Sequence, residues 1–182
     1  MKLTKTNISD LIIIEPKIFN DSRGYFFEPY NKVKFDKYFG DTNFVQDNES
    51  KSSYGVLRGF HFQKPPYDQA KLVRCLNGKV LDIALDLRKN SPTFGKYETV
   101  ILSGENKKQF FIPRGFAHAF LVLSETATFS YKVDNVYAPQ SDCGVIWSDP
   151  ILSVDWGIDE SKLIISDKDK NLDLLKNIKS PF

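Results

Sequence analysis

From Phe44 onward the chain is a succession of short apolar segments, each stopped by Gly, Pro, Asn or Asp, and that punctuation leaves few folds open. Residues 56–63 and 70–76 flank the loop KPPYD. Asn77-Gly78 lies between two apolar runs, which predicts a tight hairpin. Residues 79–87 alternate, with Leu81, Ile83, Leu85 and Leu87 pointing one way and Asp82, Ala84 and Asp86 the other. Residues 97–102 and 108–112 are expected as strands around the turn SGEN, and residues 118–123 and 127–133 as a hairpin through residues 124–126. Residues 145–147 read as a further short strand. Upstream, residues 11–15 form a first strand stopped by Pro16, residues 19–24 carry turn chemistry, and residues 25–29 resume a strand pattern. Helices are few. Asn31 can cap one over Lys32–Phe39, closed by Gly40. The tail, residues 169–179, has helical spacing at Leu172, Leu175 and Ile178. Such a pattern implies an all-β sandwich or barrel, and small barrels of the jelly-roll kind keep a ligand cavity between their sheets.

The length, 182 residues, suits one domain spanning 1–182. With 15 Phe and 8 Tyr the chain favours strands and stacking pockets. A net charge of +2, with acids and bases interspersed, gives no footing for a nucleic acid or an anionic membrane surface. Cys75 and Cys143 form no CxxC pair, which fits a reducing cytoplasm. The apolar run at residues 11–14 is too short for a signal peptide or a membrane span, so a cytoplasmic protein is expected. Its exposed strand is expected to add to a neighbour's sheet edge.

The chemistry-bearing residues concentrate in residues 50–74, where Arg58, His61, Lys71 and Arg74 interrupt strand-like segments. Charges beside Phe60, Phe62, Leu72 and Val73 are costly unless paired or used. His61 and Gln63 share one strand face, Lys71, Val73 and Cys75 another, and His118, Phe120 and Val122 a third. Tyr131 lies on the apolar side of Ala127 and Phe129. An inward His, Lys and Tyr make an acid–base set: a base near neutral pH, a cation for a developing oxyanion and a proton donor. That set suits proton abstraction beside a carbonyl followed by reprotonation. Plainer readings stand next to it: a hydrogen-bonded rim histidine, a lysine snorkelling at the rim, a core tyrosine with its hydroxyl satisfied. Strict alternation puts Arg58 opposite His61, and a bulge at Gly59 would re-aim it. The only histidines are His61 and His118, and Gln63 breaks any His-x-His pair, so no metal is expected. Arg23, Arg58 and Arg74 are available for bidentate phosphate contacts.

Three segments, VQDNESKSSYGVLRGFHFQ, DQAKLVRCLNGKVLDIALDLRKNSPTFGKY and FFIPRGFAHAFLVLSETATFSYKVDNVYAP, resemble the dTDP-4-dehydrorhamnose 3,5-epimerase family. The similarity runs from Ile12 to the segment SDKDK at residues 166–170. It implies a cupin-type jelly roll without metal or other cofactor, acting as a homodimer. The implied reaction inverts C3 and C5 of dTDP-4-dehydro-6-deoxy-D-glucose to give dTDP-4-dehydro-L-rhamnose, a step of dTDP-L-rhamnose biosynthesis. By the resemblance His61 is the general base, Asp169 the carboxylate that orients it, Lys71 the cation near the C4 carbonyl, Tyr131 the opposing acid and Tyr137 the aromatic on the thymine. The implied substrate contacts are Arg23, Glu28, Gln46, Asp47, Asn48, Arg58, Lys71, His118, Asp142 and Lys168.

The chain departs from the family pattern in three places. Phe60 precedes His61 where many members have Leu, Asp142 stands where Glu is usual, and NLDLLKN lacks a proline, so the tail is expected to pack differently. Two further readings follow. One is a relative that inverts only C3 or only C5 of a dTDP-4-keto-6-deoxy sugar. The other is a non-catalytic sugar-nucleotide binding module, which would be expected to lack the base or the acid.

Overall fold

The computed structural model describes residues 1–40 and 42–182. The strands are β1 (Lys2–Lys5), β2 (Ile12–Glu15), β3 (Phe19–Asp21), β4 (Gly24–Phe26), β5 (Gln46–Ser53), β6 (Leu57–Gln63), β7 (Lys71–Asn77), β8 (Lys79–Asp86), β9 (Tyr97–Ser103), β10 (Gln109–Ile112), β11 (Phe116–Val122), β12 (Thr126–Val133) and β13 (Asp142–Gly144). Helix α1 covers Lys32–Phe39 and α2 covers Asp167–Lys170. A six-stranded sheet runs β1-β2-β10-β7-β12-β5 and a five-stranded sheet runs β13-β6-β11-β8-β9, while β3 and β4 form a separate hairpin. Facing sheets that share their strands out in this alternating way are a cupin-type jelly roll.

The expected hairpins at residues 77–78 and 124–126 do not form. Strand β7 pairs with β10 and β12, β8 with β9 and β11, so the chain changes sheet at Gly78. It changes sheet again between β11 and β12, and at the SGEN turn between β9 and β10. These corners pack on one another. Gly104 N–H donates to Gly78 O at 3.0 Å, and Lys79 N–H donates to Ser124 Oγ at 2.8 Å. Gly78 holds φ +79, and a Cβ there would lie 2.1 Å from Thr126 O, so the corner has room only for glycine. Turn chemistry marked where the chain bends; long-range partners decided which strands pair.

Three apolar layers result. Between the sheets lie Val73, Val80, Phe110, Phe120 and Phe129, with Phe120 and Phe129 stacked 4.3 Å apart. Each fully buried side chain of this kind contributes about 1.5–3 kcal/mol. The other face of the five-stranded sheet carries Leu57, Phe60, Ile83, Leu85 and Leu121 and is covered by Leu152, Trp156 and Leu175 of the C-terminal segment. The outer face of the six-stranded sheet buries Ile14, Leu72 and Phe111 under Phe35 of α1. Asn31 caps α1 by accepting from Lys34 N–H.

Three local expectations change. The run 11–14 is not an edge: β2 lies between β1 and β10, and Leu11 and Ile14 are fully buried. The strand expected at residues 145–147 is β13, three residues earlier, and Val145 follows it, exchanging backbone hydrogen bonds with Phe60 and bridging to Asp173. The tail is helical in two separate turns, α2 and the 3-10 turn Leu175–Asn177: between them Asp173 bridges to Val145, and Asp149 accepts from Leu175 N–H where the second turn starts.

Candidate active site

A cavity of about 510 Å³ opens at one end of the barrel, between the two sheets. His61 and Arg58 reach it from β6, His118 from β11, Lys71 from β7 and Tyr131 from β12. Arg58 arrives there through a bulge. On β11 the partner of His118 is His61 and the partner of Phe120 is Arg58, so Gly59 and Phe60 together oppose Ala119. Gly59 sits at φ +108 with His118 O only 2.4 Å from where a Cβ would stand. The sharp turn puts Phe60 into the core and both Arg58 and His61 into the cavity.

The same bulge secures the carboxylate behind His61. Gly59 N–H donates to Asp169 Oδ2 at 3.1 Å, and His61 Nε2 lies 2.8 Å from Asp169 Oδ1. Asp169 is buried at the N-terminal turn of α2, where its own N–H donates to Ser166 Oγ at 3.1 Å. Burial alone would raise this carboxyl, yet the bonds from His61 and Gly59 hold it below the usual carboxylate range. An ionised carboxylate only accepts, so Nε2 carries the proton and Nδ1 is the free nitrogen of the ring.

Lys71 is 8% exposed. Burial lowers its ammonium from 10.5 to about 8, against the opposing pull of Asp142 and Asp82. Burial raises the Tyr131 phenol, with Arg58 pulling the other way. A raised phenol stays protonated and able to donate. Arg58 itself is anchored by Nη2 donating to Ser52 Oγ at 3.2 Å.

The mouth is framed by Tyr137, Asp142 and Lys168. Tyr137 donates its hydroxyl to Asp142 Oδ2 at 3.1 Å, and Lys168 Nζ donates to the same oxygen. Gln46 Oε1 accepts from Tyr137 N–H at 3.4 Å and Gln46 Nε2 donates to Asn48 Oδ1, which brings both β5 residues to the rim. Gln63 shapes the approach: its amide donates to Tyr67 O and Val136 O and accepts from Ala138 N–H.

Arg23, Glu28 and Asp47 do not line this cavity. Arg23 pairs with Asp21 at the tip of the β3–β4 hairpin, Glu28 with Lys34 of α1, and Asp47 with Lys132 on the outer face of the six-stranded sheet. Arg74 also faces outward, with its guanidinium 5.9 Å from the Phe27 ring. Sequence reasoning passed over Asp82, whose Oδ2 lies 2.8 Å from His118 Nε2. The signal was its inward parity on β8 between Leu81 and Ile83. Among the described residues no cluster of three His, Cys, Asp or Glu side chains could hold a metal ion, and no helix is long and apolar enough to cross a membrane.

A jelly roll with a histidine held by a buried carboxylate, a buried lysine and a tyrosine around one polar cavity is an acid–base enzyme of the carbon-acid isomerase class. The chain belongs to the dTDP-4-dehydrorhamnose 3,5-epimerase family, whose model matches residues 5–177. The dTDP-4-dehydrorhamnose 3,5-epimerase of Escherichia coli K12 is 51% identical over 173 residues, 94% of this chain and 93% of that protein. The crystal structure of the corresponding epimerase from Elizabethkingia anophelis superposes with a TM-score of 0.94 at 57% identity, covering 99% of this chain and 98% of the other. A Legionella pneumophila structure in complex with dTDP-4-keto-L-rhamnose superposes with a TM-score of 0.94 at 47% identity, covering 98% and 94%.

Proposed function

We propose that this chain inverts C3 and C5 of dTDP-4-dehydro-6-deoxy-D-glucose, giving dTDP-4-dehydro-L-rhamnose for dTDP-L-rhamnose biosynthesis. The observation that carries the reading is the placement of base and acid: His61 and Tyr131 line one cavity from opposite sheets. Both inverted carbons flank the C4 ketone, so their protons are acidic enough for an imidazole. His61 Nδ1 takes the proton from one face of the ring, and Asp169 stabilises the imidazolium that forms. The electron pair moves to the C4 oxygen, where the Lys71 ammonium neutralises it. Tyr131 returns a proton to the carbon from the other face, so the centre inverts. Solvent then restores the phenol and discharges the imidazolium. The sugar turns and the cycle repeats at the second carbon. No redox step occurs, so no redox cofactor is called for.

Gln46, Asn48, Arg58, His118, Asp142 and Lys168 hold the substrate, with Tyr137 stacked on the thymine. Tyr137 has the exposure this needs, at 55%. The protein is a single jelly-roll domain of the cytoplasm that works as a homodimer, in which Arg23, Glu28 and Asp47 serve the partner's cavity. The hairpin that bears Arg23 supports this, because it offers Phe19, Tyr25 and Phe26 at 52%, 57% and 66% exposure. A monomeric variant turning over at full rate would count against the shared site. The test of the base is His61→Ala: solvent exchange at C3 is expected to vanish while dTDP still binds. Full exchange in that variant would remove His61 from the mechanism.

A further inference from the structure

The acid–base set leaves one buried acid without a role. Asp82 on β8 has no exposed surface. Its Oδ2 lies 2.8 Å from His118 Nε2, and its Oδ1 is the one buried side-chain nitrogen or oxygen among the described residues with no hydrogen-bond partner. A half-satisfied carboxylate in such a place destabilises the fold, and a leucine would fill the space at lower cost. The His118 ring beside it stacks on Phe129 at 6.0 Å and lies 6.4 Å from Phe120.

His118 is the register partner of His61, so two histidines stand side by side on adjacent strands. Each has Nε2 on a buried carboxylate. Each lines the cavity. The two carboxylates differ. Asp169 also receives Gly59 N–H, whereas Asp82 has His118 alone.

We propose that Asp82 is a positioning residue: by accepting the Nε2 proton of His118 it holds the ring in the tautomer whose bare Nδ1 accepts a substrate hydroxyl. This rests on the epimerase reading for the identity of the hydroxyl, which belongs to the keto sugar.

Two measurements test this without relying on turnover. In the wild-type protein a long-range ¹H–¹⁵N correlation should show His118 with Nε2 protonated and Nδ1 bare; a proton on Nδ1 in place of Nε2 overturns the proposal. In Asp82→Asn, which keeps the shape but can turn an amide N–H toward the ring, His118 should lose that preference and populate the form protonated on Nδ1. An unchanged His118 tautomer in the folded variant overturns it as well. With the dTDP-4-keto sugar, kcat of Asp82→Asn should fall about tenfold with KM changed less than about threefold. A wild-type enzyme inert toward that sugar would refute the substrate while leaving both spectroscopic results to decide on Asp82.

Discussion

Replacing Lys71 by Met should make the protein more stable and nearly inactive. Lys71 is 8% exposed, and its ammonium is lowered from 10.5 to about 8, chiefly by burial. That fall of about two and a half pH units corresponds to roughly 3 kcal/mol of unfavourable charge burial. Above its unfolded value the lysine is neutral in both states and the penalty is absent. As pH falls below 10.5 the unfolded chain takes up the proton first and stability declines; below about 8 both states are charged and the full penalty holds. Methionine has a similar volume and no charge. Urea unfolding at equal protomer concentration should therefore give Lys71→Met an advantage of about 2–3 kcal/mol near neutral pH, shrinking between about pH 8 and 10.5. Turnover should drop about a hundredfold or more as the enolate loses its cation. A Met variant less stable than wild type near neutral pH, or an advantage that does not change with pH, would refute the reasoning.

Further outcomes follow from the same geometry. Asp169→Asn should lower kcat about a hundredfold or more with dTDP affinity unchanged by calorimetry, because the imidazole loses its fixed tautomer and its counter-charge. The folded Asp169 carboxyl is held below its ordinary value, so its contribution to stability is complete above the carboxylate range and fades as pH falls through the folded value. The urea midpoints of Asp169→Asn and wild type should accordingly converge at acid pH. Gly59→Ala should cost about 2 kcal/mol or more by thermal unfolding, since φ is +108 and His118 O lies 2.4 Å from the new Cβ. Tyr137→Ala should weaken dTDP binding by about 1–3 kcal/mol while Tyr137→Phe retains most of it.

How much of this was legible in the sequence depended on the range of the interaction. The helix Lys32–Phe39 was readable because its cap, Asn31, and its stop, Gly40, lie next to it. The strands were readable from alternation, but their pairing was not: Asn77-Gly78 has the chemistry of a hairpin turn and serves as a corner, since both flanking strands are claimed by partners distant in sequence. Parity predicted the faces of His61, Lys71, His118 and Tyr131, and Gly59 flagged the bulge that turns Arg58 inward. Asp82 was visibly inward, but its match to His118 lies 36 residues away and no local pattern announces it. Asp169 is 108 positions from His61, and only the family resemblance could suggest the pair. Arg23, Glu28 and Asp47 belong to surface ion pairs within one chain. A functional assignment for them needs a second copy.

The central claim, two inversions by one base and one acid, is tested most directly by proton NMR of the purified protein with dTDP-4-dehydro-6-deoxy-D-glucose in D₂O, before and after adding the 4-keto reductase and NADPH. The account predicts deuterium at both C3 and C5 and dTDP-L-rhamnose once the reductase is present. Deuterium at one carbon alone, or none while the nucleotide still binds, would contradict it.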